Sequence, residues 1–279
     1  MESVKKILLI CNNQSNQKAL ANKLFERGVL SNIAVIQFQM PKKTGFIHKV
    51  LAFKQKITSI SIGLPFRIAW FAMLNYYEKN YPNFPITPFL SDNVNSLELL
   101  NYIEEIRPDL VLISGTNLLK DTSITRINQL AKIMNLHTGI SPYVKGGPNC
   151  TNWCLSTGNF DYIGNTIMWI DKGIDSGHII STERTPLSGK ESLSQLHINV
   201  MEHAHDLYIR SVLYFNTGAN LPNINQNEID KGNLYLSKQW TFNKMLLGLI
   251  NFIFKFNPNS VLLKSPRKMR LINLDTSIK

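Results

Sequence analysis

Residues 134–180 read MNLHTGISPYVKGGPNCTNWCLSTGNFDYIGNTIMWIDKGIDSGHII. An apolar run ends in Asn135-Leu136-His137 and predicts a strand over 131–136. The loop 140–148 is rich in Gly and Pro, and Asn149 can cap a short helix to Ser156. Two further apolar runs, 162–170 and 178–182, flank the turn Asp171-Lys172-Gly173-Ile174-Asp175-Ser176-Gly177. Asn135, His137 and Asp175 thus stand at or just beyond two strand ends. An amide, an imidazole and a carboxylate placed there can converge on one reacting carbon.

The chain before this stretch supplies the rest of an α/β sheet. Lys5 to Cys11 is short and wholly apolar after its lysines, a buried strand. Gln17 to Gly28 has helical spacing, with Leu20, Ala21 and Leu24 on one face and Gly28 as a stop. Ile33 to Phe38 is a second strand. Strand, polar turn, helix, strand opens a doubly wound sheet. The turn lacks GxGxxG. Its NNQSN (12–16) offers amides, a hydroxyl and a helix N-terminus to an anion, or simply caps the helix. Asn12 and Asn13 are therefore candidate substrate-binding residues.

Pro41 to Asn83 is mostly helical and basic-aromatic, with Lys54, Lys56, Arg67, Trp70, Tyr76 and Tyr77, and looks like an insertion. A helix over 94–106 stops at Arg107-Pro108-Asp109, and Leu110 to Ser114 is a third strand. In open α/β sheets ligands bind beyond the carboxyl ends of strands, which makes Gly115-Thr116-Asn117 a candidate pocket wall. A helix over 122–130 follows. After the central stretch a long helix, 193–214, carries His197, His203 and His205, read as solvated or core groups. Residues 1–215 form the expected main domain, with the insertion at about 41–83. Residues 216–279, Asn-rich, form a small C-terminal extension.

Hydrophobic content of 44% and charged content of 18% fit a folded chain. The net charge of +11 suits anionic small molecules, nucleic acid or acidic lipid. The basic residues are scattered, which disfavours a nucleic-acid arm. Cys11, Cys150 and Cys154 are too few and odd in number for a disulfide framework, and point to a reducing compartment. Cys150 and Cys154 stand four apart on a helix without a Cys/His cluster, so buried thiols are expected and a metal is not. No stretch approaches the roughly 20 apolar residues of a membrane span. The greasiest segments, 62–77 and 242–256, are core or dimer-interface helices or interfacial membrane contacts.

If an amine attacks an acyl carbon, the carbonyl oxygen gains charge and needs donors already in place. Asn135 offers an N–H, and a protonated His137 a stronger one. At i and i+2 on a strand they point to one side. Asp175 could accept the amine's proton, directly or through water, or could hold His137 charged. No Ser or Cys nucleophile is required. Either island alone is weak, since both sequences also serve as ordinary loops; their order, with the Pro-Gly loop between, is the signal.

That combination resembles the folate-dependent formyltransferases, which include methionyl-tRNA formyltransferase, glycinamide ribonucleotide transformylase and the nucleotide-sugar N-formyltransferases. The matching pattern is Asn135-Leu136-His137, then Ile140-Ser141-Pro142 and Lys145-Gly146, then Ile174-Asp175-Ser176-Gly177, and the resemblance spans roughly 5–215. It implies a Rossmann-like sheet with flanking helices, N10-formyltetrahydrofolate as donor, and Asn135, His137 and Asp175 as catalytic residues. It implies pterin contacts from Gly115, Thr116, Asn117 and Leu118 and from Asp171, Lys172 and Gly173 through Ile174. Lys145 and Gly146 become acceptor-side candidates.

The usual His-x-Ser-Leu-Leu-Pro stands here as His137-Thr138-Gly139-Ile140-Ser141-Pro142. The tail is shorter than the domain with which the tRNA enzyme grips its substrate. Both departures resemble the nucleotide-sugar branch. The implied reaction is formylation of a 3-amino or 4-amino dideoxy sugar on a nucleotide, such as dTDP-4-amino-4,6-dideoxyglucose. It would serve surface polysaccharide or O-antigen synthesis in a bacterial cytoplasm, without nucleic acid, with a homodimer through 242–256. A methionyl-tRNA formyltransferase-like enzyme and a non-catalytic folate- or nucleotide-binding module are the alternatives.

Overall fold

A computed structural model describes residues 5–37, 62–147, 149–262 and 269–274. Of the expected insertion, 41–61, with Lys54 and Lys56, lies outside the described residues, as does Pro148.

Seven strands form one sheet in the order β3-β2-β1-β4-β5-β7-β8. These are β1 (Ile7–Asn12), β2 (Asn32–Ile36), β3 (Phe89–Ser91), β4 (Leu110–Ser114), β5 (Lys132–His137), β7 (Gly164–Trp169) and β8 (Ile179–Arg184). The first five run parallel. β7 and β8 are antiparallel additions on the β5 side. The sheet is thus a mostly parallel α/β sheet with an antiparallel hairpin at one edge.

The continuous apolar runs follow from burial on both faces. Along β1, Ile7 and Leu9 face α1 (Ser15–Glu26) and the last helix of the main domain, Leu193–Asn216. Leu8 and Ile10 face Leu97–Ile106 and Asp121–Asn128 on the other side. In chain order the helices among the described residues are α1, α2 (Leu64–Asn80), α3 (Leu97–Ile106), α4 (Asp121–Asn128), α5 (Cys150–Thr157), α6 (Leu193–Asn216), α7 (Phe242–Lys255) and the short α8 (Pro258–Leu262). Boundaries agree with the sequence reading to within a few residues. The helix of the insertion is α2, which packs on α1 and α6.

Three short strands were beyond periodicity. β3 has three residues and sits at the sheet edge. β6 (Val144–Gly146) and β9 (Asn233–Tyr235) pair only with each other, joining the Gly-Pro loop to the tail. A three-residue run has no room for alternation to show.

The tail lies against the main sheet and α5. Leu274 is buried in the same cluster as Leu9. The Thr182 hydroxyl accepts the Ile272 N–H at 2.7 Å. α7 buries Gly248 and Asn251. Asn251 Nδ2 donates to the carbonyls of Leu155 (2.9 Å) and Ser156 (3.2 Å) in the last turn of α5, where Leu155 also accepts the Gly158 N–H. Its other face leaves Ile253 and Phe254 exposed. Among the described residues no helix is long and apolar enough to cross a membrane.

Candidate active site

β5 carries Asn135 and His137 to the carboxyl end of the parallel strands. Buried Ile133 and Met134 fix its register between β4 and β7. The buried Tyr208 hydroxyl locks the β4–β5 junction. It donates to the Met134 carbonyl at 2.7 Å and accepts the Ile113 N–H at 3.0 Å. Asn135 and His137 both line a cavity of about 500 Å³. The Asn135 amide has no hydrogen-bond partner among the described residues, so its N–H groups are open to the cavity.

The His137 ring is buried. Its Nε2 lies 3.0 Å from the Val144 carbonyl and its Nδ1 3.3 Å from Asp175 Oδ2. Both nitrogens therefore face oxygen acceptors. A neutral tautomer can donate to one; the imidazolium serves both. Burial drives the proton off, but the Asp175 carboxylate, then the neighbouring Cys150 sulfur and the Val144 carbonyl, outweigh it. The imidazole is raised to about 10. The Nδ1 contact is a charge contact, not an aligned hydrogen bond. Gly139 makes room for the ring: a Cβ there would stand 2.6 Å from Nε2.

Asp175 sits in the turn between β7 and β8 with φ +49°, a left-handed conformation that Asp tolerates better than most residues. Its Oδ2 also accepts the Gly146 N–H at 2.9 Å. The Ser176 hydroxyl closes the turn on Asp171 Oδ1 at 2.6 Å. Gly177 passes so near the Trp169 carbonyl that a Cβ would stand 1.7 Å from its oxygen. Close approach explains the glycine of the Ile-Asp-Ser-Gly turn.

Of the other residues expected from sequence, Gly115, Thr116, Asn117, Leu118, Asp171, Gly173 and Gly146 line the cavity. Lys172, Asn12, Asn13 and Lys145 stand outside its lining. Lys172 and Asn13 are exposed. Asn12 instead buttresses the wall, its Nδ2 donating to the Gly115 carbonyl at 2.7 Å. Asn95 does the same at the far end of that wall, through the Leu118 carbonyl at 3.0 Å.

Sequence reasoning missed Asn16, Gln17, Trp70 and Met201, which close one end of the cavity. Asn16 and Gln17 are buried, yet Asn16 Oδ1 and Gln17 Oε1 have no partner among the described residues. The NNQSN turn hinted at them. Trp70 and Met201 sit on helices whose faces read as plain core. Cys150 was also missed: its sulfur lies 3.5 Å from His137 Nε2 and 3.4 Å from the Gly146 carbonyl. Burial pushes its thiol up, so it is a neutral neighbour and not a thiolate nucleophile. All three cysteines are free and buried. Among the described residues no group of His, Cys, Asp and Glu could hold a metal ion.

The lining combines apolar surface from Leu118, Ile170 and Trp169 with the unpartnered amide oxygens of Asn16 and Gln17 and the Asn135 amide. Such a wall fits a flat heterocycle bearing both donors and acceptors. An open amide, a buried imidazolium and a carboxylate at its edge suit attack of an amine on an acyl carbon.

Comparison with known proteins agrees with that chemistry. A sequence model described as "Formyl transferase" matches residues 4–212. A methionyl-tRNA formyltransferase from Syntrophus aciditrophicus is 31% identical over 113 residues, covering 40% of this chain and 35% of the relative. The chain spans little more than a third of the length of the curated relatives it matches. A sugar N-formyltransferase from Shewanella superposes with a TM-score of 0.55 at 14% identity, over 88% of each chain. The formyltransferase PseJ from Anoxybacillus kamchatkensis superposes at 0.50 and 16% identity, over 92% of this chain and 97% of that one. That structure holds UDP-4,6-dideoxy-4-formamido-L-AltNAc and tetrahydrofolate. At these identities the two structures speak to the fold.

Proposed function

The chain belongs to the formyl transferase family, and on that footing we propose that it moves the formyl group of N10-formyltetrahydrofolate to the amine of a nucleotide-linked amino dideoxy sugar. The observation that carries this reading is the meeting of Asn135, His137 and Asp175 at the edge of one cavity.

The folate supplies an activated formyl group. The Asn135 amide, unpaired among the described residues, donates to the formyl oxygen as it gains charge. The His137 imidazolium adds positive potential in a buried setting, where it counts for more than in water. Its Nδ1–H, held by charge and not by an aligned bond, is the ring donor left for the cavity. Asp175 keeps His137 charged and takes the amine's proton directly or through water. The walls at Gly115–Leu118 and at Asp171 and Gly173 hold the pterin.

The sugar branch is supported by the extent of the fold similarity. The sugar N-formyltransferase from Shewanella is matched over 88% of both chains. Surplus positive charge suits a diphosphate and a folate tail, both anionic. The reading extends to a cytoplasmic bacterial enzyme of surface polysaccharide synthesis, dimeric through the exposed face of α7. A tRNA reading draws on the 31% identity to a methionyl-tRNA formyltransferase.

The test mixes the purified chain with N10-formyltetrahydrofolate and 3-amino and 4-amino sugar nucleotides, and follows tetrahydrofolate release. Turnover with one acceptor is expected. Turnover only with methionyl-tRNA would replace the sugar reading, and none with any amine would remove both.

A further inference from the structure

The family match ends at 212, yet the tail reaches the catalytic turn. Asn223 Oδ1 lies 3.1 Å from His178 Nδ1. Ile224 pairs antiparallel with Ile179 through reciprocal bonds of 3.0 and 2.8 Å. Gln226, buried at 3% exposure, then turns its amide under the Asp175 turn. Its Nε2 donates to the Asp175 carbonyl at 2.9 Å and to the Gly177 carbonyl at 2.7 Å. Both donor hydrogens of one amide are spent on the two carbonyls that bracket Ser176.

The second wall of the ion pair is held by the same segment. β9 pairs with β6 from Val144 to Gly146. Val144 presents the carbonyl that faces His137, and Gly146 the N–H that binds Asp175 Oδ2. A stretch of tail from Asn223 to Tyr235 thus grips both sides of the His137–Asp175 contact.

We propose that Gln226 is a positioning residue for the reaction, fixing the Asp175 turn so that its carboxylate stays against His137. The argument is geometric. Asp175 has a positive φ, a conformation strained for an L-residue, so its turn relaxes unless something holds it. The side-chain clasp of Ser176 on Asp171 ties the turn only to itself. Gln226 ties it to the body of the protein. The amide is the one terminal group of its length that gives two donors to two adjacent carbonyls without adding charge. Methionine keeps the length and loses both donors. Glutamate loses them and sets a carboxylate against two carbonyl oxygens.

This proposal rests on the reading of Asp175 and His137 as catalytic, so its test has a readout that needs no turnover. Full-length protein with ¹⁵N-labelled histidine is titrated by NMR, and His137 is assigned from a His137→Gln variant. Wild type is compared with Gln226→Met and Gln226→Glu, with folding checked by circular dichroism. His137 is expected to lose its proton at least one pH unit earlier in each folded variant, because Asp175 has moved. Where formyl transfer is measured, kcat falls at least tenfold, and Gln226→Met adds no further loss on an Asp175→Asn background. An unchanged His137 titration in either folded variant overturns the proposal. If Gln226→Met does not fold, Gln226→Glu decides alone. If neither folds, the double donor serves stability and the proposal is overturned. Absence of formyl transfer in wild type would count against the proposed function and leave the titration result standing.

Discussion

His137 Nδ1 stands 3.3 Å from Asp175 Oδ2, and the same oxygen takes the backbone N–H of Gly146. The pair is a buried charge contact, so folding and protonation are linked. His137 binds its proton more tightly folded than unfolded, where it titrates near 6.5. The stabilisation is complete below about 6.5 and is lost as pH climbs toward about 10. Wild type should therefore lose thermal stability over that window more steeply than Asp175→Asn. Calorimetry across pH 6 to 10 reads this; parallel curves would contradict it.

Asn135 presents an amide with no hydrogen-bond partner among the described residues. Asn135→Ala should leave stability within about 0.5 kcal/mol of wild type. It should lower kcat by about 10²–10³, the usual effect of removing one donor to a developing oxyanion. Steady-state kinetics with a thermal melt separates the two. A melt that falls while kcat holds would reassign Asn135 to the fold.

Asp175→Asn removes the charge and keeps the shape. Turnover is expected to fall by orders of magnitude while folate binding, followed by fluorescence or calorimetry, persists. Loss of both together would mean that the turn has collapsed.

The thiols should be silent. Burial pushes Cys150 up, and Cys11 and Cys154 further. Iodoacetamide needs a thiolate and access. Mass spectrometry should find no labelling of native protein at pH 8 and three adducts in guanidinium. Rapid native labelling of Cys150 would show that the His137 neighbourhood opens to solvent.

Asn251 should behave as a structural residue of the tail. Asn251→Ala leaves the Ser156 carbonyl without the Asn251 donor, while Leu155 keeps the Gly158 N–H, and should cost about 1–3 kcal/mol by denaturant unfolding. Below the melt, kcat should be unchanged.

The core was legible because β1 and β4 are buried on both faces and carry nothing but apolar residues through their middles. Asn135, His137 and Asp175 were legible because strand ends at a sheet's carboxyl edge are where such side chains meet. What escaped depended on distance along the chain. Cys150 is thirteen residues from His137, and only the Gly-Pro loop brings its sulfur to the ring. Trp70 and Met201 share one cavity wall from α2 and α6, and helical spacing says only that one face is buried. Lys172 and Lys145 were named through the family resemblance, and both stand outside the cavity lining, because position in a motif does not say which way a turn residue lies. The left-handed φ of Asp175 has no sequence signature at all.

The clasp between Asn223 and Tyr235 sets an order of events. At the ribosome Asp175 is joined to the nascent chain 51 residues before Gln226. The strands that carry the chemistry can pair as they emerge, but the turn and the Gly-Pro loop wait for the segment that grips them. The cleft is therefore completed only after all its reacting groups have been made, and a translation product halted short of residue 223 would carry every reacting group without the segment that grips the Asp175 turn.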